Sequence, residues 1–282
     1  MGSSSIPEGF LRPQAPANAR LRRVNFLETN PPLPEYKDLV AAVIDDVLTE
    51  DECKQLLQIA EATTVRDPSG LPTWERALIN AGGGKQVLAT DSRNCGRIFL
   101  DSHELADRLL ARLMPFLKEL GADQINNRPR VTGLAGRGKI FNVSGLNERL
   151  RFLKYEGGEY FLPHCDGRYT TPDKQERSYF TVQLYLNGDG EQDLKELQRA
   201  IKDSNNAPHS TTNPDLTGKL LGGATSFMAN FGDKDRRVRV FPRTGSVLVF
   251  QQSELLHGGD LVFRGIKYTM RTDVMYREQT TS

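Results

Sequence analysis

Two side chains of the metal-ligand type stand two positions apart in the segment Pro163-His164-Cys165-Asp166-Gly167. On a β-strand, residues i and i+2 point to the same face, so His164 and Asp166 are able to bind one ion together. An imidazole and a carboxylate, joined by one further histidine, form the facial triad that holds ferrous iron in non-heme oxygenases and leaves coordination positions open. An isolated His-x-Asp also occurs by chance, so the metal site needs a third ligand.

The chain has 4 histidines, which limits the choice. His103 lies at the start of a predicted helix, and His209 lies in a polar insert. His257 follows the apolar segment Gly245–Phe250 and precedes Gly258-Gly259, so we place it at a strand end that can turn inward. His257 is therefore our third ligand.

The elements that position these ligands are short alternating or β-branched runs beyond about residue 137. They are Lys139–Val143, Leu150–Tyr155, Phe180–Leu186, Arg237–Phe241, Ser246–Phe250 and Tyr268–Tyr276. Two helices are predicted ahead of them. One begins near Thr49 with a Thr49/Glu52 capping box, and the other runs from about Ser102 to Leu120 with Asp101 as its cap. Strands after helices indicate an α+β, mainly β fold: an antiparallel sandwich or jelly roll with helices packed outside.

The rest of the chain falls into segments that differ in amino-acid composition and periodicity. Residues 1–36 are rich in Pro, Ser and Asn and predict a flexible N-terminal arm or a surface strap. Residues 37–282 are predicted as one domain, with helical support over 37–136 and a jelly-roll core over 137–282. Within it, residues 64–97, which include Gly82–Gly84, predict a long mobile loop. A polar insert at 188–221 is helix-like at Asp193–Ile201 and resembles disordered sequence at Asn205–Pro214.

Composition narrows the class of protein. Hydrophobic residues make up 38% and charged residues 26%, which is enough to bury a core. Lys plus Arg is 37 and Asp plus Glu is 36, giving a net charge of +1, so we expect no nucleic acid and no membrane as partner. The 3 cysteines are unpaired in spacing, and no apolar run reaches the length of a membrane span. We expect an intracellular, cytoplasmic protein.

Five blocks between about residues 146 and 277 resemble the prolyl 4-hydroxylase-like family of Fe(II)/2-oxoglutarate-dependent oxygenases. The blocks are Arg151–Asp166, Arg177–Asn187, Gly222–Phe227, Pro242–Phe250 and His257–Arg277. The resemblance implies a double-stranded β-helix (jelly roll) with His164, Asp166 and His257 as iron ligands. It also implies Fe(II), 2-oxoglutarate as co-substrate and O2, with ascorbate as a supporting reductant.

The same resemblance points to residues that hold 2-oxoglutarate. Lys267 matches the basic residue that pairs with its distal carboxylate, because a buried dianion must meet a cation. Arg271 faces the same way on a strand and is the alternative for this role. Tyr155 and Tyr185 match tyrosines at the co-substrate of relatives, although a strand tyrosine is as often a core residue.

The activity implied is hydroxylation of an unactivated C–H bond, coupled to conversion of 2-oxoglutarate to succinate and CO2. The first expectation is 4-hydroxylation of proline in a peptide or protein, with Arg97 and Arg151 contacting substrate and the loop at 75–97 covering it. The alternative is a hydroxylase of free proline or another small metabolite. A jelly-roll binding protein without catalysis is more remote, because both the triad and Lys267 are present. A zinc hydrolase ranks last, since the chain has no H-E-x-x-H motif.

Overall fold

The computed structural model describes residues 6–80, 85–206, 215–233 and 235–280. His209, Gly82–Gly84 and most of the segment Asn205–Pro214 lie outside these residues. The described helices are α1 Glu50–Ala62, α2 His103–Leu120, α3 Pro129–Thr132 and α4 Leu194–Asn206, with 3-10 turns at Pro34–Tyr36 and Leu134–Gly136. None of them is long and apolar enough to cross a lipid bilayer.

Most of the remaining chain is in strands. In chain order they are β1 Arg20–Arg23, β2 Ala41–Asp45, β3 Glu75–Arg76, β4 Ile79–Asn80, β5 Gln86–Val87, β6 Arg93–Asn94, β7 Gly96–Asp101, β8 Gln124–Asn126, β9 Ile140–Leu146, β10 Arg149–Tyr155, β11 Tyr160–His164, β12 Glu176–Tyr185, β13 Leu221–Gly222, β14 Thr225–Phe227, β15 Val238–Val240, β16 Val247–Gln251, β17 His257–Gly259, β18 Val262–Arg264 and β19 Lys267–Glu278.

Two antiparallel sheets form the body of the molecule. The major sheet has the order β1-β2-β16-β12-β19-β10-β7-β3, with β9 paired to the far end of β19 and β8 paired to β9. The minor sheet has the order β15-β14-β17-β11-β6. Crossovers between strands distant in sequence build this arrangement, and the predicted mainly β jelly roll with preceding helices is confirmed.

The two faces of the major sheet differ along strand β19. Strand β19 shows the alternation: Met270 and Val274 belong to the main apolar core, whereas Lys267 and Arg271 belong to the opposite face. The apolar face packs against α1 and α2 through buried leucines, among them Leu56, Leu105, Leu109, Leu113 and Leu117. The opposite face is turned toward the minor sheet, where it is apolar along β2 and β16 and carries the charged side chains of β19.

Both predicted helices are present, with one corrected boundary. Thr49 and Glu52 form the reciprocal capping box at α1 as predicted. The cap of α2 is Ser102, whose hydroxyl accepts from the Leu105 amide, so the assignment of Asp101 is wrong. Asp101 ends β7, and its carboxylate pairs with Arg149 at 2.8 Å instead.

The segment 64–97 also differs from the predicted loop. Its described residues contain the short strands β3 to β6 and the beginning of β7, which pairs with β10 over its whole length. Sequence periodicity cannot detect two-residue strands, because such strands are defined by their partners.

The described residues of the N-terminal segment pack against the rest of the protein. This packing favours the predicted surface strap over the predicted flexible arm. Residues 20–23 pair with β2 at one edge of the major sheet. Phe10, Leu11, Phe26 and Leu33 are each at most 5% exposed. These apolar residues are spaced without periodicity, which is why the sequence did not reveal their burial.

Candidate metal centre

The three predicted ligands meet between the two sheets. His164 ends β11 and His257 begins β17, and these residues lie directly opposite each other in an antiparallel pair. Asp166 follows two residues after His164, and one ligand atom from each of the three residues lies within 4.8 Å of the others. The Nε2 atoms of His164 and His257 are 3.6 and 3.7 Å from the two carboxylate oxygens of Asp166.

This geometry corrects one detail of the sequence interpretation. His257 does not end the strand that contains Val247–Phe250. That strand stops at Gln251, the chain turns at Glu254 with a positive φ of 64°, and His257 opens a new strand in the minor sheet. The turn transfers the chain from one sheet to the other and sets the second imidazole beside the first.

Both imidazoles are oriented by their own backbone. His164 Nδ1 lies 2.8 Å from the Leu162 carbonyl, and His257 Nδ1 lies 3.0 Å from the Leu255 carbonyl. A carbonyl only accepts hydrogen bonds, so each Nδ1 carries the proton and each Nε2 presents its lone pair to the centre. Burial lowers the pKa of His257 to about 4, which keeps this imidazole neutral near pH 7.

Asp166 is held at both carboxylate oxygens. Burial alone raises the pKa of Asp166, but the positive charge of Arg271 is the main effect that opposes it, and the pKa is held well below its ordinary value. Thr181 donates a hydrogen bond of 2.6 Å to Oδ2, and Arg271 lies 3.0 Å from Oδ1. The Gln252 amide in turn donates to Thr181. The carboxylate is therefore ionised and fixed in position.

A buried cation lies beyond the triad. Lys267 is 2% exposed, and its Nζ lies 5.0 Å from the ring centre of Tyr155 and 5.9 Å from that of Tyr185. Among the described residues, none forms a hydrogen bond or ion pair with the side chain of Lys267. Burial lowers its pKa to about 8, against the weaker opposite effect of Asp260 and Cys95. The Tyr185 hydroxyl donates to Thr225 at 2.8 Å in the same pocket.

Arg271, the alternative to Lys267, already has two carboxylate partners. It lies 3.0 Å from Asp166 and 3.3 Å from Asp273. Burial lowers the pKa of Arg271, but these two carboxylates raise it above its ordinary value. Of the two cations, Lys267 is thus the one available to a further anion.

Arg97 and Arg151, the predicted substrate contacts, lie on the neighbouring strands β7 and β10, and Arg151 is directly opposite Arg271 in the β10–β19 pair. Both line a cavity of about 530 Å³ that also reaches Leu78 and Gln86 of the 75–97 segment. Arg151 pairs with Asp273 at 3.0 Å. The cavity around the metal ligands shares Arg93, Leu153 and Arg271 with this larger one.

Sequence reasoning missed Thr181, Gln252, Asp273 and Arg93. A signal for the first was present, because Thr181 and Gln183 are polar positions that alternate with Phe180 and Val182 in an otherwise apolar strand. Gln252 and Asp273 carried no such signal. They matter through a buried hydrogen bond of 3.0 Å, which forms because β12 pairs with both β16 and β19 and so brings Gln252, just after β16, near Asp273 on β19.

The donor set suits a divalent transition metal with open coordination positions. Two neutral imidazole nitrogens and one carboxylate match the facial arrangement of non-heme iron sites. A four-ligand structural zinc site would need another donor, and no further His, Cys, Asp or Glu of the described chain joins this cluster.

No protein-family model and no curated protein matches the chain. Solved structures do match, among them three prolyl hydroxylases. A viral collagen prolyl hydroxylase from Paramecium bursaria Chlorella virus-1, in complex with 2-oxoglutarate, has a TM-score of 0.46 and 16% identity, covering 84% of this chain and 96% of that one. A Pseudomonas putida prolyl-4-hydroxylase has a TM-score of 0.45 and 18% identity, covering 86% and 95%.

The third is a Trichoplax adhaerens prolyl hydroxylase in complex with a hypoxia-inducible factor peptide, with a TM-score of 0.44 and 13% identity, covering 86% of each chain. These three proteins belong to the class that the sequence blocks resemble. Because the similarities are low, the function of this chain is inferred from the side chains of the site alone.

Proposed function

We propose that this chain is an Fe(II)- and 2-oxoglutarate-dependent dioxygenase that hydroxylates an unactivated C–H bond. The observation that carries the proposal is the meeting of three ligand atoms within 4.8 Å at a centre beside a buried lysine that has no hydrogen-bond or ion-pair partner among the described residues. His164, Asp166 and His257 would hold the iron. Iron and 2-oxoglutarate supply the oxidising chemistry when bound, and the protein supplies ligation, orientation and a dry cavity.

Lys267 would receive the distal carboxylate of 2-oxoglutarate. A dianion placed in this pocket gains a charge-assisted contact and relieves the cost of the buried ammonium. Tyr155 and Tyr185 flank the lysine and limit where the carboxylate can sit. Arg271 would remain with Asp166 and Asp273, as a support for the metal ligand.

The substrate would occupy the 530 Å³ cavity next to the centre. Proline in a peptide or protein is our first choice, on the strength of the sequence resemblance, and free proline or another small metabolite is the alternative. The 75–97 segment lines this cavity through Leu78, Gln86 and Arg93, so it is placed to contact either kind of substrate.

The test measures succinate formed from 2-oxoglutarate by purified protein with Fe(II) and ascorbate. His164→Ala and Asp166→Ala should abolish succinate formation and binding of Fe(II), because each removes one of three ligands. His103→Ala is the matched control, since this exposed histidine lies at the start of α2. Undiminished turnover in both ligand variants would refute the assignment of the centre.

A further inference from the structure

The cavity beside the metal centre is strongly basic. Six arginines line it: Arg93, Arg97, Arg149, Arg151, Arg168 and Arg271. Only two carboxylates, those of Glu148 and Asp273, line it with them. The chain as a whole has a net charge of +1, so this concentration of one sign is local.

Most of these arginines have partners inside the protein. Arg149 pairs with Asp101 at 2.8 Å, and Arg151 and Arg271 share Asp273. Arg168 donates to the backbone carbonyls of Val131 and Thr132. These contacts account for the positions of four side chains without any ligand.

Arg97 differs from them. Its guanidinium lies over the ring of Phe99, 4.1 Å from the ring centre, and the residue is only 6% exposed. Its Nε is buried without an acceptor, as are those of Arg93 and Arg271, but Arg97 differs from these two because no described residue forms a hydrogen bond or ion pair with any atom of its side chain. Burial and the nearby Arg93 lower the pKa of Arg97. Such a group costs stability unless an acceptor arrives, and costs of this kind concentrate at functional sites.

The position of Arg97 connects it to the reaction centre. It lies opposite Leu153 in the β7–β10 pair, and Leu153 lies opposite Thr269, two residues before Arg271 in β19. Arg93, Leu153 and Arg271 border both this cavity and the one around the metal ligands. A molecule held at Arg97 therefore lies in a cavity that shares these three residues with the cavity around the metal-ligand candidates.

We infer that the substrate presents a carboxylate to Arg97. This inference rests on the proposed oxygenase function and adds the chemical class of what is oxidised. The planar guanidinium offers paired N–H donors that match a carboxylate. The carboxylate belongs either to a small free acid or to an Asp or Glu side chain of a peptide.

The test is isothermal titration calorimetry on the full-length protein with matched acid and neutral probes. N-acetyl-L-amino acids and their amides represent free acids, and capped Ala-Pro-Asp-Ala and Ala-Pro-Asn-Ala peptides represent the side-chain source. In one of these two sets of probes, we expect the acid to bind at least about tenfold tighter than its neutral counterpart. This ratio of dissociation constants corresponds to the free energy of one charge-assisted hydrogen bond. The set in which the preference occurs identifies the source of the carboxylate.

Arg97→Gln should remove this preference, while Arg97→Lys should retain part of it. Arg66→Gln is the control, because Arg66 is an exposed arginine of the same segment. A melting curve for each variant confirms folding, and Arg97→Gln should not melt below the wild type. Equal binding of acids and amides, no binding of either, or an undiminished preference in Arg97→Gln would each overturn the inference.

Succinate formation in the same samples keeps the two proposals apart. An acid preference without any succinate would refute the oxygenase and leave the carboxylate site standing. Succinate formation without an acid preference would refute the carboxylate site alone.

Discussion

The charged side chains of the site form a network of ion pairs, and two buried cations lie outside it. Asp166 is neutralised by Arg271, and Asp273 is shared by Arg271 and Arg151. Lys267 and Arg97 are both buried, and neither has a carboxylate partner among the described residues. The proposed co-substrate and the proposed substrate would each supply an anion to one of these two cations.

The pH dependence of 2-oxoglutarate binding tests the role of Lys267. Burial lowers its pKa to about 8, so the ligand-free protein holds a cation below that pH and a neutral amine above it. Only the cation attracts a dianion. The dissociation constant for 2-oxoglutarate, measured by calorimetry in the presence of Mn(II), should therefore be flat below about pH 8 and rise above it by up to about tenfold per pH unit.

Lys267→Arg should bind 2-oxoglutarate with a flat profile to at least about pH 10, because a guanidinium stays protonated. Lys37→Arg, at an exposed lysine, serves as the control and should retain the wild-type rise. A wild-type profile that stays flat through about pH 9.5 would transfer the role to Arg271, whose charge does not change there.

How far the sequence predicts the site depends on how each residue acts. His164, Asp166 and His257 are recognisable because metal coordination requires particular side chains at particular spacings. Thr181 and Gln252 act by donating hydrogen bonds across strands, which many residue types do at many spacings. The choice between Lys267 and Arg271 needed the contacts of both, since the two face the same way on β19.

Among the helices and strands, long segments with a periodic hydrophobic pattern were predictable from the sequence. Short strands that form only by pairing with a neighbour were not. The helices α1 and α2 and the strands β10, β12, β16 and β19 carry their own periodicity. The short strands β3 to β6 and β17 exist because a neighbour supplies their hydrogen bonds. This distinction matters for function, because β17 carries His257 and β6 carries Arg93.

The corrected cap of α2 gives a prediction at this scale. Ser102→Ala should lower the free energy of unfolding by about 1 kcal/mol, because the Leu105 amide loses its acceptor. Asp101→Ala removes an exposed ion pair with Arg149 and should cost less than about 1 kcal/mol. Urea denaturation in low salt and in about 1 M NaCl separates them, since salt screens the ion pair and leaves the cap intact. A cost for Ser102→Ala that vanishes in high salt would contradict the assignment.

At the scale of the whole molecule, the strap formed by residues 6–36 belongs to the layer behind the metal centre. Phe26 is 1% exposed, and its ring meets Tyr36 at 5.4 Å and Phe227 at 5.5 Å between ring centres. Phe227 in turn lies 6.3 Å from His257. A continuous row of rings thus joins the strap to His257, so we expect the stability of the predicted domain 37–282 to depend on the strap.

Phe26→Ala tests this dependence directly. Deleting a fully buried phenylalanine leaves a cavity and should lower the free energy of unfolding by about 3–5 kcal/mol, as measured by guanidinium denaturation. Leu27→Ala is the matched control, because the adjacent leucine is 46% exposed and its loss should cost less than about 0.5 kcal/mol. The same variants report on the site: Fe(II) affinity should fall for Phe26→Ala, since His257 loses the packing that fixes it, and stay constant for Leu27→Ala. Equal stability of the two variants would mean that the strap rests on the surface and leaves the centre to the remaining chain.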